Sequence, residues 1–268
     1  MNIFTLFYFI GLIFIGIIAG IASGLLGVGG GFIMVPLQFF LLTSLGVDSS
    51  LALMVSFGTS LAIIIPTSIS GAYKHNKELK NILKPGIILG IFGIFGGFLG
   101  GFLASYAPTR ILQIFFGIVL IIIAINMFLN KKTGKTKPKI KFNILSAALI
   151  GVSVGVLSGL LGIGGGVFIV TILSVILGFS MIESIGISSV FISLAAIGGV
   201  SSYIITGLGV NTLPYSLGYV SLVNFFVIIL FSIPCAYIGA NLSHKLPERR
   251  LQEIFAILLI ILAIKMII

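Results

Sequence analysis

Acidic, imidazole and thiol side chains are scarce in this sequence of 268 residues. It contains five Asp or Glu residues, two His residues and one Cys residue. The single cysteine, Cys235, excludes a disulfide within the chain and a cysteine metal site. His75 and His244 lie in charged loops, and the sequence has no His or carboxylate cluster. A membrane-embedded enzyme would need such groups in its apolar segments, so we expect no catalytic residue, metal or cofactor.

Charged residues of both signs are also rare. They make up 7% of the chain, against about 25% in a soluble domain, and the mean hydropathy is +1.32. The uncharged runs are residues 1–47, 86–109, 111–130, 142–182, 184–243 and 254–264. Because a helix needs roughly 20 apolar residues to cross a bilayer, several runs hold more than one crossing. The composition predicts an all-α polytopic integral membrane protein.

Two glycine-rich segments repeat each other. Residues 16–35 read GIIAGIASGLLGVGGGFIMV, and residues 151–170 read GVSVGVLSGLLGIGGGVFIV. Eleven of these twenty positions are identical, including every glycine. We therefore predict two transmembrane repeats, residues 1–130 and 142–268, joined by a basic linker at 131–141. Paired interrupted helices are the best sequence pointer to the binding site of a transporter.

Each repeat holds five apolar segments. They are 3–27, 29–45, 49–72, 83–106 and 109–129 in the first repeat, and 142–162, 164–179, 183–207, 214–243 and 250–268 in the second. The second segment of each repeat is short for a full crossing, so it either spans the membrane or forms a re-entrant hairpin with its predecessor. No cation precedes the first apolar run, and we expect Met1 onward to form the mature first helix rather than a signal peptide.

The cations predict the orientation of the chain. Cytoplasmic loops collect Lys and Arg, and thirteen of the fifteen cations lie in residues 74–84, 131–141 and 245–250. Each repeat has an odd number of crossings, so the second should be inverted, with both termini outside and the linker in the cytoplasm. The net charge of +10 then reflects basic loops that meet anionic lipid, not nucleic acid. Assembly into a homo-oligomer is left open.

The dense glycines of each repeat predict a break inside an apolar helix. Gly16, Gly20 and Gly24 recur every fourth residue and should permit close helix packing. The glycines that follow are too dense for a packing face, and each lowers helix stability by about 1 kcal/mol relative to alanine. We predict that a new helix starts near Gly30. The glycines of the two breaks are Gly27, Gly29, Gly30 and Gly31 in the first repeat, and Gly162, Gly164, Gly165 and Gly166 in the second.

A helix start inside the membrane can bind an anion. It offers unpaired backbone N–H groups and about half a positive charge, and glycine lets the anion approach these amides closely. Two starts from inverted repeats could converge on one central site for a small oxyanion, without a buried lysine or arginine. The alternative is that the glycines serve helix packing alone.

Polar side chains in the apolar segments are further candidates, since hydrocarbon offers them no water. Ser23 and Ser158 match each other in the repeat, as do Ser60 and Ser193. Each could donate a hydrogen bond to a bound anion, or could instead bond back to a carbonyl of its own helix. Asp48 and Glu183 open the third helix of their repeats, where they either stabilise the helix start or accept a proton that is coupled to transport.

The glycine segments resemble a known family. SGLLGVGGGFIMVP and its echo SGLLGIGGGVFIV are similar to the signature of the TauE/SafE (TSUP) sulfite exporter family. The resemblance covers essentially the whole chain. It implies a plasma-membrane transporter of sulfite, sulfonates or related organosulfur anions that works by proton exchange. The second copy departs from the first, with Thr171 in place of Pro36 and Phe191–Ile192 in place of Gly58–Thr59, so the half-sites are not chemically equal.

Two kinds of transport fit these observations. The leading hypothesis is a secondary transporter, acting as an exporter of a small anion, in which the repeats rock against each other by alternating access. A passive anion channel is the alternative, because serine-bearing helices with glycine breaks could line a continuous pore. Saturable, counterflow-sensitive uptake would distinguish the carrier from the channel.

Overall fold

The computed structural model describes residues 3–26, 29–78, 82–129, 142–243 and 248–268. The basic linker 131–141 and Gly27 lie outside these ranges. The helices of the first half agree closely with the predicted segments. They are α1 Ile3–Leu26, α2 Gly31–Ser44, α3 Ser49–Glu78, α4 Leu83–Tyr106 and α5 Thr109–Leu129.

The second half follows the same order. Its helices are α6 Ile144–Leu161, α7 Gly166–Thr171 with a π-helical continuation Ile172–Ile176, α8 Met181–Gly207, α9 Leu222–Ser243 and α10 Glu248–Ile267. Between α8 and α9 a short antiparallel hairpin pairs β1, Ser216–Leu217, with β2, Val220–Ser221. The hairpin packs on α8, because the Tyr219 N–H donates to the Tyr203 carbonyl at 3.1 Å.

The prediction of an all-α polytopic membrane protein is confirmed. Within the described ranges, six helical segments are long and apolar enough to cross a bilayer: Leu6–Gly24, Ser49–Tyr73, Leu83–Tyr106, Thr109–Asn126, Ile144–Leu161 and Ile182–Gly207. Large apolar side chains such as Phe14, Phe95, Leu149 and Phe226 are exposed on the outside of the bundle. An apolar outer surface is a liability in water but is what a lipid-facing helix presents.

Helices α3 and α8 form the centre of the bundle. Their spans are 78% and 72% buried, against 33 to 44% for the other four. A methyl group on Gly199 would lie 2.7 Å from Leu61 Cδ1, and one on Gly71 would lie 3.5 Å from Ser189 Oγ. Residue numbers rise along α3 as they fall along α8, so these two repeat-matched helices are antiparallel.

The glycine face predicted for α1 packs against a helix of the other half, and so does the matching face of α6. A methyl group on Gly16 would lie 2.9 Å from the Ile228 carbonyl oxygen of α9, and one on Gly20 would lie 2.5 Å from that of Ser232. Gly151 of α6 is equally close to α4, since its methyl would lie 2.6 Å from the Leu89 oxygen. The residue pairs show that α1 runs parallel to α9. The close-packing role predicted for Gly16 and Gly20 is confirmed.

Helices α5 and α10 also join the two halves. A methyl group on Gly117 would lie 2.5 Å from Ile267 Cγ1 and 3.0 Å from the Ala263 oxygen. At the start of α5, Arg110 Nη1 donates to the Ile268 carbonyl at 3.4 Å. These contacts make α5 and α10 antiparallel, as α3 and α8 are. The two halves are therefore joined by the pairs α3 with α8, α1 with α9, α4 with α6 and α5 with α10.

Candidate functional site

The first glycine cluster is a true helix break. Helix α1 ends at Leu26 and α2 begins at Gly31. Between them Gly29 and Gly30 have φ angles of 78° and 71°, in the left-handed region that costs other residues about 1–2 kcal/mol. The break and the new helix predicted near Gly30 are confirmed.

The second cluster has the same geometry. Helix α6 ends before Gly162, and Gly162, Gly164 and Gly165 have φ angles of 67°, 84° and 72°. The Gly165 carbonyl accepts the Ile169 N–H at 3.0 Å, just as the Gly30 carbonyl accepts the Met34 N–H at 3.1 Å. Neither α2 nor α7 receives a hydrogen bond from a side-chain cap, since the N-cap residue of each is glycine. Both starts thus keep N–H groups for which a helix has no internal acceptor.

The two breaks lie against each other. A methyl group on Gly31 would lie 2.7 Å from the Ile163 carbonyl oxygen, far inside van der Waals contact. The fully buried side chain of Ile64, on α3, lies between them. Its Cδ1 would be 2.6 Å from a methyl on Gly31 and 3.2 Å from one on Gly164, and its Cγ2 would be 3.7 Å from one on Gly29. Ile64 is one of many apolar residues in its run and carries no sequence signal of its own, although its spacing of four residues from Ser60 places both on one face of α3.

Of the two repeat-matched serine pairs, Ser23 and Ser158 occupy equivalent places, whereas Ser60 and Ser193 differ in their hydrogen bonds. Ser23 Cβ and Ser158 Cβ take equivalent places, each 3.3 Å from a methyl built on Gly30 or Gly165 respectively. Among the described residues, the buried hydroxyls of Ser158 and Ser60 have no hydrogen-bond partner. Ser193 differs, because its hydroxyl donates to the Val190 carbonyl of its own helix at 2.8 Å. The geometry leaves Ser60 and Ser158 as open donors.

The two acids lie at helix starts. Asp48 Oδ1 accepts the N–H groups of Ser50 at 2.8 Å and Leu51 at 3.3 Å. Glu183 Oε2 accepts the backbone N–H of Ser180 at 2.8 Å and its hydroxyl at 2.6 Å, in a reciprocal capping box. Ile64 is sixteen residues beyond Asp48, roughly 24 Å along a helix. The contacts favour helix-start stabilisation, and proton transfer by either acid stays a prediction.

The fold and the paired breaks define the class: a polytopic membrane protein whose interrupted helices meet inside the bundle. The sulfite exporter TauE/SafE family matches residues 12–266. The chain belongs to this family, as its glycine motifs indicate, and it is a membrane transporter.

Named relatives span nearly the whole chain. It is 35% identical to a "Probable membrane transporter protein" of Haemophilus influenzae, over 94% of this chain and 95% of that protein. It is 33% identical to one of Methanocaldococcus jannaschii, over 96% of this chain and 94% of that protein. A third, YdhB of Bacillus subtilis, is 32% identical over 88% of this chain and 91% of its own length. No solved structure matches the chain.

Proposed function

We propose that this protein is a secondary transporter that exports a small anion, such as sulfite, a sulfonate or a related organosulfur anion, by alternating access. The observation that carries the proposal is the contact between two glycine-lined helix starts, neither of them capped by a side chain. The family supplies the transport class and the expectation of a sulfur oxyanion.

The chemistry of the site suits a small oxyanion. Backbone N–H groups at a helix start, with the partial positive charge of the helix, bind anions without a cationic side chain. The hydroxyls of Ser23, Ser60 and Ser158 would add donors beside the breaks. Neutral donors hold an anion less tightly than a buried lysine or arginine would, and a carrier must release its solute on the far side. Ile64 fills the space between the breaks, so an anion would have to displace this side chain to reach both.

Alternating access requires two halves that can move against each other, and we propose that the repeats are inverted. The antiparallel packing of α3 on α8 and of α5 on α10 supports inversion, because both are repeat-matched pairs. The parallel course of α1 and α9 agrees with it as well. With the linker 131–141 in the cytoplasm, both termini would lie outside, and the basic loops would meet anionic lipid.

Flux in proteoliposomes tests the proposal. Purified protein would be reconstituted, loaded with unlabelled sulfite and offered radiolabelled sulfite, with sulfate, thiosulfate and methanesulfonate as competitors. A carrier gives saturable uptake that counterflow accelerates. Unsaturated conductance without counterflow would support the passive channel instead, and no flux with any of these anions would refute the assigned substrate class. The same vesicles with an imposed pH gradient test the proton exchange that the family resemblance implies.

A further inference from the structure

A buried polar cluster lies away from the glycine breaks, where α1, α2, α3 and the start of α9 meet. We call it the α9 cluster, and it consists of Tyr8, Gln38, Thr59, Ser221 and Asn224. Gln38, Thr59, Ser221 and Asn224 are fully buried. Burying amides and hydroxyls among apolar helices is costly unless each finds a partner, so the cluster calls for an explanation.

The hydrogen bonds of the α9 cluster form one chain, in which each group donates to the next, from the Tyr8 and Ser221 hydroxyls through Asn224 to Gln38. Asn224 Oδ1 accepts the Tyr8 hydroxyl and, at 3.2 Å, that of Ser221. Asn224 Nδ2 then donates to Gln38 Oε1 at 3.2 Å. The chain of bonds ends at Gln38 Nε2, which has no acceptor among the described residues. The network therefore leaves its free end as an N–H donor.

The start of α9 adds positive potential at the same place. Ser221 precedes α9, and its hydroxyl accepts the Asn224 N–H at 3.4 Å. The Ser221 N–H itself donates to Thr59 Oγ1 at 3.0 Å, which fixes this helix start against α3. A 22-residue helix places a partial positive charge at its first turn, beside the unpartnered Gln38 amide.

The α9 cluster shares a face of α2 with the first break. Gln38 is seven residues after Gly31, two turns or roughly 10 Å along the helix. On α3, Ser60 follows Thr59, and its unpartnered hydroxyl lies one turn before Ile64. Among the residues that the structure describes, hydrogen-bond donors without an acceptor therefore occur at Gln38 on α2, which begins at the first break, and at Ser60 on α3, which carries Ile64.

Two polar positions of the α9 cluster are apolar in the second repeat. The repeat counterparts of Gln38 and Thr59 are Leu173 and Ile192, whose exposed fractions are 0% and 1%. The repeat can therefore pack with apolar side chains at these positions, and the polar residues of the first half are not needed to build it.

We propose that the α9 cluster is a second anion subsite, in which the Gln38 amide, oriented by Asn224 and assisted by the start of α9, binds an oxygen of a sulfite or sulfonate ion. The inference rests on the proposed function for the class of anion. It adds a site that joins α1, α2 and α3 to α9. Because the repeat counterparts of Gln38 and Thr59 are apolar, this site serves one of the two access routes to the breaks.

Isothermal titration calorimetry of the purified full-length protein in detergent tests the subsite. Sodium sulfite and sodium methanesulfonate are the probes, with sodium chloride as the salt control. The variants are Gln38→Leu, which copies Leu173, and Gln38→Glu, which keeps an acceptor for Asn224 but removes the N–H donor. Gln113→Leu is the matched control, since it removes a half-buried glutamine from α5. Size-exclusion elution and the melting temperature establish that each variant is folded.

We expect both Gln38 variants to raise the Kd for sulfite about 10- to 100-fold, the range for a lost hydrogen bond to a charged group, and Gln113→Leu to leave it unchanged. Wild-type affinity in both Gln38 variants would overturn the subsite while leaving transport intact. Failure of wild type to bind either probe, or equal heats with sodium chloride, would also overturn it. Binding that depends on Gln38 without flux in proteoliposomes would instead refute the transport proposal and keep the subsite.

Discussion

Replacing Gly30 with alanine probes the first break, because Gly30 combines a positive φ angle with a close contact to a backbone oxygen. Its φ of 71° costs an alanine about 1–2 kcal/mol. The added methyl would lie 2.8 Å from the Ala19 carbonyl oxygen and 3.3 Å from Ser23 Cβ. Overpacking of this kind costs about 1–3 kcal/mol, because a backbone oxygen cannot move away as the end of a side chain can. The total destabilisation of the native break is about 2–5 kcal/mol.

Gly46 provides the matched control. Its φ is 86°, yet a methyl group there meets nothing within 4 Å. Gly46→Ala should therefore carry the backbone strain alone, about 1–2 kcal/mol. We expect Gly30→Ala to abolish sulfite counterflow in proteoliposomes and Gly46→Ala to retain it, with both proteins inserted and monodisperse. Wild-type counterflow in Gly30→Ala, or equal loss in both variants, would refute a solute site at the break.

Three further predictions concern the surroundings of the breaks. Ile64→Ala should lower the free energy of unfolding by about 2–5 kcal/mol. It should also let sulfonates larger than methanesulfonate compete with sulfite for uptake. If the same sulfonates compete as in the wild type, the site does not lie beside Ile64. Ser158→Ala should raise the KM for sulfite about 10- to 100-fold, because one hydrogen bond to a charged group contributes about 1.5–3 kcal/mol. The free energy of unfolding should stay unchanged, because the Ser158 hydroxyl has no partner to lose among the described residues. An unchanged KM would return Ser158 to a packing role. Asp48→Asn and Glu183→Gln should leave the pH dependence of flux unchanged if both acids only stabilise helix starts, since Asn and Gln still cap a helix start. A flattened pH profile would assign the coupled proton to the altered residue.

The helix bounds and the breaks could be predicted because local physics decides them. Hydrocarbon forces every backbone group into an internal hydrogen bond, so long uncharged runs become helices. Dense glycine then interrupts them, since Gly29, Gly30 and Gly165 adopt backbone angles that other residues rarely tolerate. The α2 helix runs from Gly31 to Ser44, within the predicted segment 29–45.

The partners across the bundle could not be predicted in the same way. Gln38 and Asn224 are 186 residues apart, and Tyr8 is 216 residues from Asn224. Helices that are apolar on every side show no single buried face, so hydrophobic periodicity carries no signal for which of them meet. The back-bonding of Ser193, against the open hydroxyl of Ser158, likewise depends on each local environment.

The sequence by itself determined that the chain is a membrane protein with two matching interruptions, because charge, hydropathy and glycine conformation act within a few residues. Tertiary structure decided that the interruptions touch at Gly31 and Ile163, that Ile64 fills the space between them and that α1 packs on α9 of the other half. In lipid, apolar burial does not distinguish one helix partner from another, so close steric fit at small residues selects the arrangement.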